Sequence, residues 1–518
     1  MRRTGGRAAA VVERLLYDAR AVAPTDPFYP PGTPLAAWAE RVRASLGEGF
    51  FETDEDGLVR APIYGPESAR AVPDPGCAPF LRGFGSDAGG RTAFGYRTPT
   101  AARLVADLAE DTPLGLDVAW VVVDHEIAAG RMREAVPAPL EAGFVPTQVQ
   151  VAELAAADVD AQVVLDAGAA AAAVARKLPP DAALTVRADP VVACLRAGIV
   201  PADPARIFRV TESMRAGNAP RRVVYLVDGA SFADAGATPV TELACTVAAV
   251  VETVGTLRRV GADLPVPIVV RVATGTFVLD EVAKIRALRP MLAEALAPAG
   301  YGPHDVRIEA RMSAAALVAT DIWSNLLRGT LAALAGLCAG ADAVGVEALD
   351  AACGLPGRLG RRLARNTVTL LREEAGLGRI RDPLAGGFHL ERRTGELLEA
   401  AWNQLVEIAE AGGLLAYARA GTLAEKLATA VSRRTERVRR GDRPIVGVTL
   451  HPDPSLSPPA DARPLGDDDA RALRDPAVDE LVAEVGRDLG PTETVPPMVL
   501  RRISAPFEGT DAGKEDRP

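Results

Sequence analysis

The sequence predicts an α/β protein: a (β/α)8 TIM barrel with an N-terminal extension and a C-terminal helical and linker tail. Three observations predict it. From about Leu114, short β-rich runs alternate with helical runs of about 12 to 20 residues. The β-rich runs are continuously apolar, which marks strands covered on both faces, as in a parallel sheet. Seven or eight such units within roughly 300 residues favour a closed barrel over an open doubly wound sheet. The expected division is 1–80 as extension, 81–415 as barrel and 416–518 as C-terminal helix and Pro/Asp-rich tail.

The extension opens with "MRRTGGRAAAVVERLLYDAR", whose apolar stretch breaks at Glu13. It reads as a surface helix, not a targeting peptide. "TPLAAWAERVRASLG" is a short amphipathic helix, "GLVRAPIYG" is strand-like, and "VPDPGCAPF" is a Pro/Gly cluster. The barrel strands are expected in "GLDVAWVVVD", "AQVVLDAG", "AALTVRAD", "RVVYLVDG", "PIVVRVATG", "DVRIEARMS" and "GADAVGVEALD". The helix after "RVVYLVDG" has Thr238 as N-cap, Pro239 at its first position and Glu242 in its first turn. Leu243, Val247, Val250, Val254 and Leu257 then form one apolar stripe, and Leu327, Leu331, Leu334 and Cys338 repeat the stepping later. Both stripes are expected to face the sheet. Beyond Glu374 come three helices, and past Thr449 the composition reads as linker or partly disordered.

Composition excludes several functions. Hydrophobic residues make up 48% and charged residues 24%, which suits a large core; aromatics are only 4%, so Ala, Val and Leu must fill it. A net charge of −10 argues against nucleic acid and anionic lipid as partners. The five cysteines form no C-x-x-C pair, which argues against a disulfide framework or zinc site and suits a reducing cytoplasm. No apolar run reaches the roughly 18 residues of a membrane span.

Individual candidates are weak. Asp124, His125 and Glu126 sit together at a strand exit, but three adjacent residues cannot all face one pocket. A hydrogen-bonded loop histidine is expected there rather than a metal ligand. "RGFGSDAGGRTAFG" lacks the strand–loop–helix setting of a nucleotide site and reads as a flexible loop. Arg358, Arg361, Arg362 and Arg365 read as a solvated helix face. Ser231 has no histidine near it in sequence to act as base.

One set of residues points further. Asp321, Asn325 and Arg328 share a helix; Leu349, Asp350, Leu355 and Pro356 follow, then "ARNT" from Ala364 and "DPLAGGF" from Asp382. With "PFLRG" at Pro79 and "RPIVGV" at Arg443, these resemble the acyl-CoA mutase family typified by methylmalonyl-CoA mutase, over about residues 35 to 450. The resemblance implies a barrel whose axis admits a CoA chain, and a flavodoxin-like domain carrying adenosylcobalamin. It also implies site residues that this sequence lacks. Where catalytic members have Gly-Tyr-His-Met-Gln-Glu-Ala-Gly-Ala, Gly229 to Ala237 read Gly-Ala-Ser-Phe-Ala-Asp-Ala-Gly-Ala. Ala230 cannot wedge against a nucleoside, and Ser231 cannot replace imidazole as a donor to a thioester.

The carboxylate-pairing arginine segment has no counterpart in "VRADPVVACLRAGIVPADP"; Arg187 lies near but lacks the flanking aromatics. The expected tyrosine falls near Gly85, and an expected glutamate is Ala351. None of His125, His304, His389 or His451 stands in Asp-x-His-x-x-Gly, and the chain ends where a cobalamin domain is expected to start. His125 matches a family histidine, although the arginine after it is Glu126.

"RRISAPFE" at Arg501 resembles the region after the barrel in the small, non-catalytic subunits of heterodimeric enzymes. The resemblance therefore implies a small-subunit-like component with no catalytic, cofactor-binding or metal residues. Adenosylcobalamin would sit on a large catalytic partner, with acyl-CoA a possible further ligand. The alternative is an active acyl-CoA mutase served by a separate cobalamin-binding subunit. A third reading is a barrel repurposed for another small molecule.

Overall fold

The computed structural model describes residues 52–508, together with 40, 43 and 44, except for 62–63, 65–73, 75, 78–79, 85–89, 134–136, 217–221, 303, 454 and 457–463. Most of the "TPLAAWAERVRASLG" helix, the "VPDPGCAPF" cluster and Gly85 therefore lie outside the described residues. Eight parallel strands close into a barrel in chain order: β1 Arg91–Tyr96, β2 Val118–Val122, β3 Gln162–Gly168, β4 Thr185–Ala188, β5 Arg222–Asp228, β6 Ile268–Thr274, β7 Val306–Met312 and β8 Ala343–Gly345. The expected fold class is observed.

β1 corrects one expectation. It lies inside "RGFGSDAGGRTAFG", read from sequence as a flexible loop. Gly89 and Gly90 before it and Gly95 within it hide a six-residue strand whose Ala93, Phe94 and Tyr96 are buried. Tyr96 donates to Asp111 (2.7 Å) at the end of the first outer helix, α1 Ala101–Asp111.

The outer layer continues with α2 Pro239–Arg259, α3 Val278–Leu296, α4 Trp323–Cys338, α5 Arg358–Glu373, α6 Phe388–Glu410, α7 Thr422–Arg439 and α8 Pro476–Leu489. Thr238 caps α2 by accepting from the Thr241 amide, and the predicted stripe Leu243–Leu257 is buried. α2 is long and apolar enough to cross a membrane by length and composition, contrary to the sequence reading. Yet 83% of that window is buried in protein, because α6 packs across α2 and α3 from outside.

α4 reverses its predicted orientation. Its face against the sheet is made of Asn325, Gly329, Ala332, Ala333, Ala335 and Gly336. A Cβ at Gly336 would stand 3.0 Å from Ala310 and 3.2 Å from Val344, so the helix sits too close for leucine there. Leu327 is instead 66% exposed and Trp323 41%. Of the predicted stripe, Cys338 is buried and Leu331 is exposed.

The tail past Thr449 also departs from expectation. α8 buries Val478, Leu481, Val485 and Leu489, and Glu484 and Asp488 pair with Arg176 (2.6 and 2.8 Å). Residues Thr492–Thr494 then pair antiparallel with Ile199–Pro201. An i, i+3, i+7 apolar spacing was present at Val478, Leu481 and Val485, diluted by the surrounding charge.

Candidate functional site

The C-terminal ends of barrel strands are where this fold builds its active sites. At β5 the chain turns through Gly229 into a short helix, Ala230–Asp234. A Cβ at Gly229 would lie 2.1 Å from Thr246 Oγ1 and 3.0 Å from the Arg271 carbonyl, so glycine is required by close approach. Gly229→Ala is expected to cost about 1–3 kcal/mol, read by chemical denaturation; a variant as stable as the parent would show that the corner yields. Ala230 is fully buried, and the Ser231 hydroxyl donates to Asp228 (3.2 Å). Burial opposes ionisation of Asp228, but Arg311, Arg271 and Arg196 outweigh it and hold its carboxyl below the usual range. Ser231 thus bonds an ionised aspartate, and His125, which lines the same cavity, makes no hydrogen bond to it.

The axis of the barrel is filled with charge. Register sets Asp166 on β3 opposite Arg187 on β4, and Arg271 on β6 opposite both Asp228 on β5 and Glu309 on β7. Arg187 donates twice to Glu309 (3.0 and 2.7 Å). Arg271 donates to the same carboxylate (3.0 and 3.2 Å) and to Asp166 (2.8 Å). Burial again resists ionisation of Glu309, yet the two guanidinium groups bring its pKa down to about 2. The Arg271 guanidinium stacks 4.3 Å from the centre of the Trp120 ring. Beneath it Trp120 packs with Ala93, Val118, Val164 and Ala343, and a Cβ at Gly345 would strike the indole at 2.5 Å.

Nearer the mouth, Arg97 makes two 2.8 Å bonds to Glu347, and Arg311 one of 2.8 Å to Asp234. Asp189 bonds the amides of Val192 (3.0 Å) and Asp228 (2.9 Å), while burial pushes its pKa up to about 7. What remains open is a cavity of about 80 Å³, partly roofed by Met498 and Leu500. The segment carrying them is stitched across the mouth: Met498 N–H to the Leu195 carbonyl (3.2 Å), Arg501 N–H to Asp234 (2.8 Å) and Ile503 N–H to Ala315 (3.0 Å).

The sequence-predicted candidates fall as follows. Asp124 caps the helix His125–Ala128 through the amides of Glu126 and Ile127 and pairs with Arg133 (2.6 Å). His125 meets Arg133 through Nδ1 (2.9 Å), the hydrogen-bonded histidine expected. Among the described residues no cluster of three His, Cys, Asp or Glu could hold a metal. Arg187 is committed to Glu309, and Ala351 is buried.

The arginine cluster is not a solvated face, contrary to expectation. Arg361 and Arg365 are buried and bind Asp111 (2.9 and 2.7 Å), tying α5 to α1, while Arg358 and Arg362 stay outside. The motif residues of α4 are likewise structural. Asn325 bonds the carbonyls of Val318 (2.7 Å) and Leu349 (2.9 Å), and Arg328 bonds that of Val446 (2.7 Å). Gly447 in the same "RPIVGV" turn has φ +80°, and a Cβ there would lie 2.3 Å from Asp321. Sequence reasoning missed the plug of Trp120, Arg271, Glu309 and Asp166. Its signal was the single charge inside the mostly apolar runs of β3, β4 and β6, and the alternating charges of β7.

Comparison with known proteins agrees with this geometry. A model described as methylmalonyl-CoA mutase matches residues 156–483. The chain is 31% identical over 462 residues to the methylmalonyl-CoA mutase small subunit of Streptomyces virginiae, covering 84% of this chain and 71% of that one. It is 34% identical over 323 residues to a probable methylmalonyl-CoA mutase small subunit of Mycobacterium bovis, covering 58% of this chain but only 51% of that one. Similarity to the large subunit of S. virginiae is 30% over 239 residues, 45% of this chain and 32% of that protein. With a matched barrel, its motif residues in place and a small subunit aligned over most of its length, the chain belongs to the methylmalonyl-CoA mutase family.

Proposed function

We propose that this chain is the non-catalytic small-subunit component of an adenosylcobalamin-dependent methylmalonyl-CoA mutase. In this reading it stabilises a large catalytic partner that carries the isomerisation of methylmalonyl-CoA and succinyl-CoA. The observation that carries the reading is the filled axis. A barrel serving as a CoA channel needs an open bore, and here Trp120, Arg187, Arg271 and Glu309 interlock across it. Opening it would separate buried charges, which costs several kcal/mol.

The residues at the mouth do not fit the cofactor. A cavity of about 80 Å³ has room for a few water molecules, and an adenosyl group is far larger. Ala230 and Ser231 offer neither an aromatic face nor an imidazole. No step of the reaction is therefore assigned to this chain. Its contribution is mass action: a subunit that binds only the folded partner stabilises it by about 2.7 kcal/mol at a hundredfold excess over Kd. All five cysteines are free, in keeping with a cytoplasmic setting.

The test is to assay the purified full chain alone, with adenosylcobalamin and methylmalonyl-CoA, and again after co-expression with a large subunit. The expected result is no turnover alone and a stable complex whose large subunit melts higher than by itself. Turnover by the chain alone, or on adding only a small cobalamin-binding protein, would overturn the proposal.

A further inference from the structure

Two opposite charges at the mouth of the barrel are left over when its ion pairs are assigned. Arg196, the last residue of the short helix Val192–Arg196, lines the cavity of about 80 Å³. Among the described residues it makes no hydrogen bond and no ion pair. The other guanidinium groups of the lining are taken: Arg97 by Glu347, Arg311 by Asp234, and Arg271 by Asp166 and Glu309. Burial and the like charges of Arg311 and Arg97 lower the pKa of Arg196, against the pull of Asp228 and Asp234. Asp228 is left over in the same way. The nearest guanidinium nitrogens stand 3.9 Å (Arg271) and 4.0 Å (Arg311) from its carboxylate, and its Oδ1 accepts no hydrogen bond among the described residues. Its Oδ2 accepts from the Ser231 hydroxyl (3.2 Å). Asp228 also lines the cavity, with 17% of its side chain exposed.

We propose that this cavity binds a small amino acid as its zwitterion, the carboxylate on Arg196 and the ammonium group on Asp228. Charge favours this ligand over simpler ions. The lining carries five acidic against four basic side chains, so a bare anion at Arg196 would be repelled by Asp228 and Asp234. A bare cation at Asp228 would meet Arg311 and Arg271. A zwitterion adds no net charge and gives each group a partner, and a buried charge without one costs free energy. Size sets the limit: a space for a few water molecules admits glycine or alanine and excludes longer side chains. Ala128, Ala193, Leu226 and Met498 supply an apolar wall, and the two charged groups fix the ligand's direction. Asp189 does not compete for the ammonium group, since its carboxyl already accepts from the amides of Val192 and Asp228. This inference is independent of the proposed function.

The test is calorimetric titration of the full chain at neutral pH with glycine and alanine, and with acetate and methylammonium as half-ligands. The expected result is saturable binding of glycine or alanine, with each half-ligand at least about tenfold weaker, because it leaves one charge unpaired. Arg196→Gln should weaken the amino acid about tenfold. The same variant should melt no lower than the parent when unliganded, since the lost guanidinium bonds nothing. Asp228→Asn should also weaken the amino acid while improving acetate, because the repelling carboxylate is gone. Failure of both amino acids to bind would overturn the proposal and leave the cavity to water. Acetate bound as tightly as glycine would make this a plain anion site and overturn it as well, as would full affinity in Arg196→Gln.

Discussion

Arg286→Met is expected to destabilise the fold by about 3–5 kcal/mol. Arg286 lies on α3 with its side chain wholly excluded from solvent. One nitrogen meets both oxygens of Asp382 (2.7 and 2.6 Å), and the other meets both oxygens of Glu391 (2.7 and 2.8 Å). Asp382 belongs to "DPLAGGF", the loop that leads into α6, and it holds a backbone φ of +47°. The single guanidinium thus fastens α6 and its entry loop to α3. Methionine matches the stem but strands two carboxylates in a dry interface, where among the described residues Arg82 remains 3.5 Å from Asp382 and the Gly386 amide still donates to Glu391 (2.9 Å). Arg286→Lys keeps one charge without the fork and should fall between the two. Guanidinium denaturation of the three proteins checks the order, and a methionine variant within 1 kcal/mol of the parent would refute the clamp.

That clamp also shows what the sequence could and could not disclose. Arg286 sits in a helical run, and Asp382 in a motif that pointed to the family, but nothing in the spacing joins positions nearly a hundred residues apart. Local signals were readable wherever one element decides the outcome. Thr238, Pro239 and the Leu243–Leu257 stripe gave α2 its start and its buried face. They failed where two elements decide together. The leucines of α4 had helical spacing, yet the close approach of Gly336 to β7 and β8 reserves the inner face for small residues. β1 was concealed because the glycines before and within it suit both a loop and a barrel strand in tight quarters.

The small residues Ala230 and Ser231 at the corner after β5 stand in the sequence itself. The plug was not legible there, because a lone Arg or Glu in a strand reveals its sign but not its partner across the barrel. Asp166, Arg187, Arg271 and Glu309 come from four strands, and only closure brings them together. Their alternation with apolar residues was the available clue: every one occupies an inward position of its strand.

Glu309→Gln should then cost about 3 kcal/mol at neutral pH, with a pH dependence that identifies the cause. The substitution keeps shape and removes one charge, leaving Arg187 and Arg271 with Asp166 as their shared counterion, at 3.5 and 2.8 Å. In the folded chain the Glu309 pKa is about 2, against 4.5 for an ordinary glutamate. A carboxyl whose folded pKa is depressed contributes stability that is complete above the unfolded pKa and is lost as pH falls toward the folded one; this difference corresponds to about 3 kcal/mol. The gap between parent and variant should therefore be constant from pH 7 to about 5 and shrink steadily below 4.5.

Asp189 and Glu242, both near 7 because burial raises them, pull the other way, favouring the fold as pH falls below neutrality. They are present in both proteins and cancel in the difference. Parallel denaturation series from pH 7 to 3 test this. A gap that ignores pH would mean that glutamine simply packs badly, and the axis would have to be held by Trp120 and its neighbours rather than by its charges.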